Sequence, residues 1–145
     1  MNKPLGKEIN ELARDIRKIF NHHLEGYALG DGQFGILYEI FHNPGISQEK
    51  LSKIRNVDKT TIAKAVKKII NNGYIHREKS KTDKREYCLF CTGEAVEIMP
   101  EIERVMKLEN EVLTEDISEE EFEIFRKIMG KMTNSIDKHL KKVEE

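Results

Sequence analysis

The chain has 145 residues, 38% hydrophobic and 35% charged, with 3 Pro and no Trp, a balance that suits one helix-rich globular unit and excludes a disordered or collagen-like chain. No stretch approaches the roughly 18 apolar residues of a membrane span and the first residues carry no apolar signal centre, so a cytoplasmic protein is expected. The net charge of -1 hides an asymmetry: residues 1–49 carry 5 basic and 7 acidic groups, 50–90 carry 12 and 4, and 91–145 carry 8 and 15. The basic middle calls for an anionic partner, and nucleic acid is favoured over a membrane because no basic helix with large exposed apolar residues accompanies the charge.

In chain order, Ile9, Leu12, Ile16, Ile19, Phe20 and Leu24 recur every three or four residues and predict a first helix of about five turns, ended by Gly26 and Gly30. Asp31 is expected to cap a second, well-buried helix through Phe34, Leu37, Tyr38, Ile40 and Phe41, stopped at His42-Asn43-Pro44-Gly45. Two short helices follow. Ile46-Ser47 before Leu51 and Val57-Asp58 before Ile62 are two copies of one start signal, a capping residue flanked by apolar residues that staple the helix start. They meet across Ile54-Arg55-Asn56 in a helix-turn-helix, and Asn72-Gly73 ends the second.

The period then changes to two in 74–78 and again in 85–91, joined by Lys79-Ser80-Lys81-Thr82-Asp83-Lys84, which predicts a β-hairpin with a basic tip. From Thr92 the pattern is helical again, with Val96, Met99, Ile102, Val105, Met106, Leu108 and Val112 along one helix that Pro100 should kink. Ser118 and Glu121 form a capping box for a last helix, whose Phe122, Phe125, Met129, Met132 and Ile136 approach a heptad seam.

On a helical wheel Ile62, Val66 and Ile69 share one face, and the opposite face holds Thr60, Lys64, Lys67 and Asn71, with Thr61 and Lys68 at its margin. Such a helix fits the major groove, with side chains near its start reaching base edges and later lysines lying on phosphates.

The element order, with Asn-Pro-Gly-Ile-Ser-Gln-Glu-Lys-Leu at 43–51, Val-Asp-Lys-Thr-Thr-Ile at 57–62 and Asp83-Lys84-Arg85 followed by a strand and Thr92, resembles the MarR family of winged-helix transcriptional regulators over nearly the whole chain. Cys91 stands where the family usually has Leu, and Gly93 follows Thr92 directly rather than two residues on. The resemblance implies a mainly α (α+β) fold and a single domain over 1–145, with dimerisation helices at 1–28 and 93–145 around a winged helix-turn-helix lobe at 31–92. It also implies that Arg85 enters the minor groove and that Asp83 steadies it, in keeping with the negative potential of a narrow groove.

The expected DNA-contacting set is Ser47, Lys59, Thr60, Thr61, Lys64, Lys67, Lys68, Asp83, Lys84 and Arg85. Apolar stripes at both ends of the chain predict a homodimer, and hence a pseudo-palindromic double-stranded operator with half-site centres about 10 bp apart. The resemblance further implies a small aromatic acid or phenol as effector, expected near His22, Tyr27, Phe34, Tyr38 and His42. The alternative use of the same fold is a protein–protein interaction module without specific DNA binding. No cofactor or metal is expected: the single C-x-x-C at Cys88 and Cys91 lacks a second ligand pair and would point to opposite faces of a strand. The histidines show no i, i+4 pair, and no phosphate loop or nucleophile elbow is present, so no enzymatic activity is expected.

Overall fold

The computed structural model describes residues 3–30 and 32–144. They form six helices and a small antiparallel sheet in the order α1 (Leu5–His23), α2 (Gln33–His42), β1 (Ile46–Ser47), α3 (Gln48–Arg55), α4 (Lys59–Asn71), β2 (Ile75–Lys79), β3 (Tyr87–Cys91), α5 (Gly93–Thr114) and α6 (Glu119–Val143). Two compact units result, Met1–Glu109 and Asn110–Glu145. This mostly helical winged helix-turn-helix is the fold expected from the sequence. The cap expected of Asp31 lies outside the described residues.

The core belongs to the first unit and is built where apolar periodicity is densest. Leu37, Ile40, Leu51, Ile62, Ile69, Leu89, Ile102 and Val105 are fully buried. Each helix of the helix-turn-helix starts on a side-chain cap: Ser47 Oγ accepts the Lys50 N–H at 3.1 Å, and Asp58 Oδ1 accepts the Thr61 N–H at 2.9 Å. These bonds satisfy amides that the first helical turn leaves without partners. Between the helices Asn56 takes a left-handed conformation, φ 51°, and turns the chain in three residues. Asn tolerates this region because its short polar side chain limits the steric penalty.

The sheet has the order β1-β3-β2, and β1, only two residues long, is too short to show an alternation that would predict it. Ile46 pairs with Leu89 and Ser47 with Cys88, so Ser47 is both a strand residue and a helix cap. The second hairpin arm is also shorter at the tip than alternation predicts, while the first runs one residue further, to Lys79. β3 starts at Tyr87, and Arg85 and Glu86 belong to the turn. Three residues connect α4 to its surroundings. Asn72 Nδ2 donates to Ala28 O at 2.7 Å, Thr92 Oγ1 donates to Gly73 O at 2.7 Å, and the Thr92 N–H donates to Tyr74 O at 3.0 Å.

α5 carries Pro100 and buries Ala95, Met99, Ile102 and Val105. In the second unit the expected capping box opens α6: Ser118 Oγ accepts the Glu121 N–H at 3.2 Å and Glu121 Oε2 accepts the Ser118 N–H at 2.9 Å. α6 buries none of its residues, and Phe125, Ile128, Met129, Ile136 and Leu140 are exposed along it. No helix among the described residues is long and apolar enough to cross a membrane.

Candidate nucleic-acid interface

α4 divides as its wheel requires. Ile62, Val66 and Ile69 are buried, while Lys59, Thr60, Lys64, Lys67, Lys68 and Asn71 are exposed. Packing of three branched apolar side chains fixes the rotation of the helix about its axis, and thereby fixes which polar side chains face outward. Thr61 is exposed too, but its hydroxyl is committed: Oγ1 donates to Asp58 Oδ2 at 2.7 Å. That bond and the amide bonds at the helix start hold the Asp58 carboxyl below its usual range. Thr61 therefore serves the cap first, and Thr60 keeps the free hydroxyl of the pair.

Lys59 approaches Glu49 Oε1 at 3.7 Å, where Lys53 also lies at 3.6 Å. This shared carboxylate links the starts of α3 and α4. Exposed pairs of this kind contribute little to stability, so the link restrains the lysines without removing them from a stronger anion.

The hairpin tip is organised by its own polar side chains. Ser80 Oγ accepts the N–H groups of Thr82 and Asp83, each at 3.3 Å, and Asp83 Oδ1 accepts the Arg85 N–H at 3.0 Å. Two backbone bonds close the loop, from Glu86 N–H to Asp83 O at 3.1 Å and from Ser80 N–H to Glu86 O at 2.9 Å. Asp83 thus shapes the backbone at Arg85. Lys84 and Arg85 stay exposed on this turn. On the arms, Arg77 lies over the Tyr87 ring, 4.4 Å from its centroid.

The residues expected around an effector are distributed among several contacts. Phe34 is buried and faces the Phe20 ring at 6.2 Å, Tyr38 meets His42 at 4.4 Å, and the exposed His22 lies edge-on to His23 at 5.1 Å. His42 Nε2 also lies 3.3 Å from Glu103 Oε1 of α5, and Tyr27 is half-buried against the core. Cys91 is half-buried with its thiol turned toward Leu37 O at 3.9 Å, and burial pushes its pKa up to about 11. Among the described residues no group of three His, Cys, Asp or Glu side chains could hold a metal ion.

Sequence reasoning missed Glu49, Ser80 and the tertiary bond of Asn72. Only Ser80 left a legible trace, a hydroxyl residue in a polar loop three positions before an aspartate. Glu49 and Asn72 act through partners elsewhere in the chain, Lys59 and Ala28.

Comparison with known proteins agrees with this geometry. The MarR family model matches residues 29–87, from the end of the first loop to the start of β3. The HTH-type transcriptional regulator YybA of Bacillus subtilis is 31% identical over 132 residues, covering 91% of this chain and 88% of that one. A MarR protein structure from Peptoclostridium difficile is 30% identical with a TM-score of 0.89, covering 99% of this chain and 94% of that one. The structure of a MarR family transcriptional regulator from Listeria monocytogenes complexed with 26mer DNA is 31% identical with a TM-score of 0.83, covering 93% and 90%. These relatives are named as regulators and not as enzymes. With a buried-and-basic recognition helix, a basic wing and relatives matched over nine-tenths of its length, the chain belongs to the MarR family.

Proposed function

We propose that the protein is a homodimeric transcriptional regulator that binds a pseudo-palindromic double-stranded operator through α4 and the wing. The observation that carries this reading is α4 itself, whose buried Ile62, Val66 and Ile69 present Thr60, Lys64 and Lys67 outward. A relative of 31% identity complexed with 26mer DNA supports DNA over a protein partner for this face. Lys64, Lys67, Lys68 and Thr60 belong to the major groove and its phosphates, Ser47 and Lys59 to the flanking backbone, and Asp83, Lys84 and Arg85 to the minor groove.

In this reading residues 31–92 form the DNA-binding lobe, and 1–28 with 93–145 form the dimerisation helices. Exposed apolar residues support the dimer: Leu5, Ile9 and Leu12 on α1, and Phe125, Met129 and Ile136 on α6. A chain truncated after 117 should lose the dimer and the operator together. The effector is a small aromatic acid or phenol held near Tyr38 and His42, whose contacting rings provide an apolar wall beside a donor.

A gel shift on the upstream region of the protein's own gene tests the main reading. Binding should weaken steeply with salt, because each neutralised phosphate releases counterions. No shift at low salt would overturn it. Release of the complex by salicylate-like acids, lost in Tyr38→Ala, tests the effector; no release and no thermal stabilisation by millimolar acids removes it.

A further inference from the structure

Arg55 is the last residue of α3, and its side chain lies flat against α2 at Gly35. A Cβ at residue 35 would come within 2.6 Å of Nη2 and 2.9 Å of both Cζ and Nη1, so the guanidinium occupies the space that any other residue would fill. Gly35 sits inside a helix, where glycine costs stability relative to alanine. Its benefit here is the notch that receives Arg55.

The seated guanidinium forms one wall of a cleft of about 340 Å³ between α2, α3 and α4. Lys64 and Lys68 of α4 line the same cleft with Thr61, and Ile36 and Ala65 contribute its apolar lining. Nearby cations already have carboxylates: Lys53 and Lys59 share Glu49. Among the described residues no carboxylate lies within ion-pair distance of Arg55, Lys64 or Lys68. Among the described residues, three positive side chains from two elements therefore line one cleft with no carboxylate at ion-pair distance. Thr61, Lys64, Ala65 and Lys68 define one flank of α4, beside the face that carries Thr60 and Lys67. A duplex that seats its major groove on the outward face runs a sugar–phosphate strand along such a flank.

We propose that Arg55, seated by Gly35, is a DNA-backbone clamp that binds one phosphodiester of each half-site beside the recognition helix. This rests on the operator-binding reading and adds a contact that α4 and the wing do not supply. A planar guanidinium suits the role because it offers two parallel donors to two phosphate oxygens. A backbone contact carries no base information, so the clamp sets register and affinity without changing sequence preference.

The test uses the full-length protein and fluorescence anisotropy on an operator duplex across a salt series. Arg55→Ala should weaken binding about tenfold and lower the slope of log K against log salt by about one, equally on operator variants. Gly35→Ala keeps the charge but displaces it, so it should weaken operator binding while thermal unfolding shows the fold intact. In duplexes carrying a single neutral methylphosphonate, one position per half-site should weaken the wild type and leave Arg55→Ala unaffected. Arg55→Ala with wild-type affinity and slope, beside a Lys64→Ala that loses both, overturns the clamp and leaves the operator reading standing. A wild type that binds no duplex at low salt removes both. Stabilisation of the wild type but not Arg55→Ala by inorganic phosphate, with DNA binding equal in the two, overturns the clamp in favour of a free-anion site.

Discussion

Asp83 offers a case in which two physical accounts of the wing predict opposite signs. It is an anion beside two cations at a tip proposed to meet DNA, and removing it should strengthen binding if only charge mattered. Taking about 10 Å to the nearest phosphate, one unit charge in water contributes about 0.4 kcal/mol, and screening at physiological salt reduces this to about 0.1 kcal/mol. Against that stands the bond from the Arg85 N–H to Asp83 Oδ1 at 3.0 Å, which holds the turn that presents Arg85. An exposed hydrogen bond of this kind contributes about 1 kcal/mol, and losing it also frees the loop backbone. Positioning therefore outweighs charge, and Asp83→Ala should weaken operator binding about fivefold. Asp83→Asn keeps the acceptor oxygen and removes the charge, so it should bind as tightly as wild type or up to about twofold tighter. Anisotropy titrations of the three proteins at one salt concentration read the order directly. Tighter binding by both variants, with Asp83→Ala equal to Asp83→Asn, would refute the positioning account.

Ile62→Ala and Leu89→Ala each empty a fully buried site and should each cost about 2–5 kcal/mol in urea unfolding; losses below about 1 kcal/mol would contradict their place in the core. Cys91 has its pKa raised from 9.0 to about 11, so its thiolate population at neutral pH is about a hundredfold below that of an ordinary thiol. In Cys88→Ser the remaining thiol should react with Ellman's reagent about a hundredfold more slowly than an exposed cysteine, and reaction at the ordinary rate would show the burial to be wrong. For Asp58 the folded pKa lies below 3.8, so its carboxylate stabilises the fold above that pH and the contribution is lost as pH falls through the folded value. The stability gap between wild type and Asp58→Asn should therefore narrow on acidification below pH 3.8. A gap that stays constant in urea titrations across that range would mean that the cap gains nothing from charge.

Local chemistry was legible in this sequence and tertiary chemistry was not. Ser47, Asp58 and Ser118 all cap as their positions imply, because a cap is decided within three residues. Ile62, Val66 and Ile69 could be read from spacing alone, and with them the outward face of α4. β1 exists only because Ile46 and Ser47 pair with Leu89 and Cys88, far along the chain. The arms of the wing end where Ser80 and Asp83 bend the backbone, and alternation does not see side-chain bonds. Arg55 reads as an ordinary helix-terminal cation until Gly35 is placed beneath it.

The three bonds at Asn72, Gly73 and Tyr74 also have a mechanical meaning. The chain leaves α4 and enters the wing within these residues, and there it is fastened on one side to Ala28, shortly after α1, and on the other to Thr92, immediately before α5. Thr92 Oγ1 also accepts the Ala95 N–H at 3.4 Å, so the first turn of α5 shares the same anchor. A torque on α5 is therefore delivered at one point to the end of the recognition helix and the root of the hairpin. In the proposed dimer this shared anchor would make helix and wing move together as one lever. What such a lever would change there is its distance from the second copy, with the shape of each reading head kept.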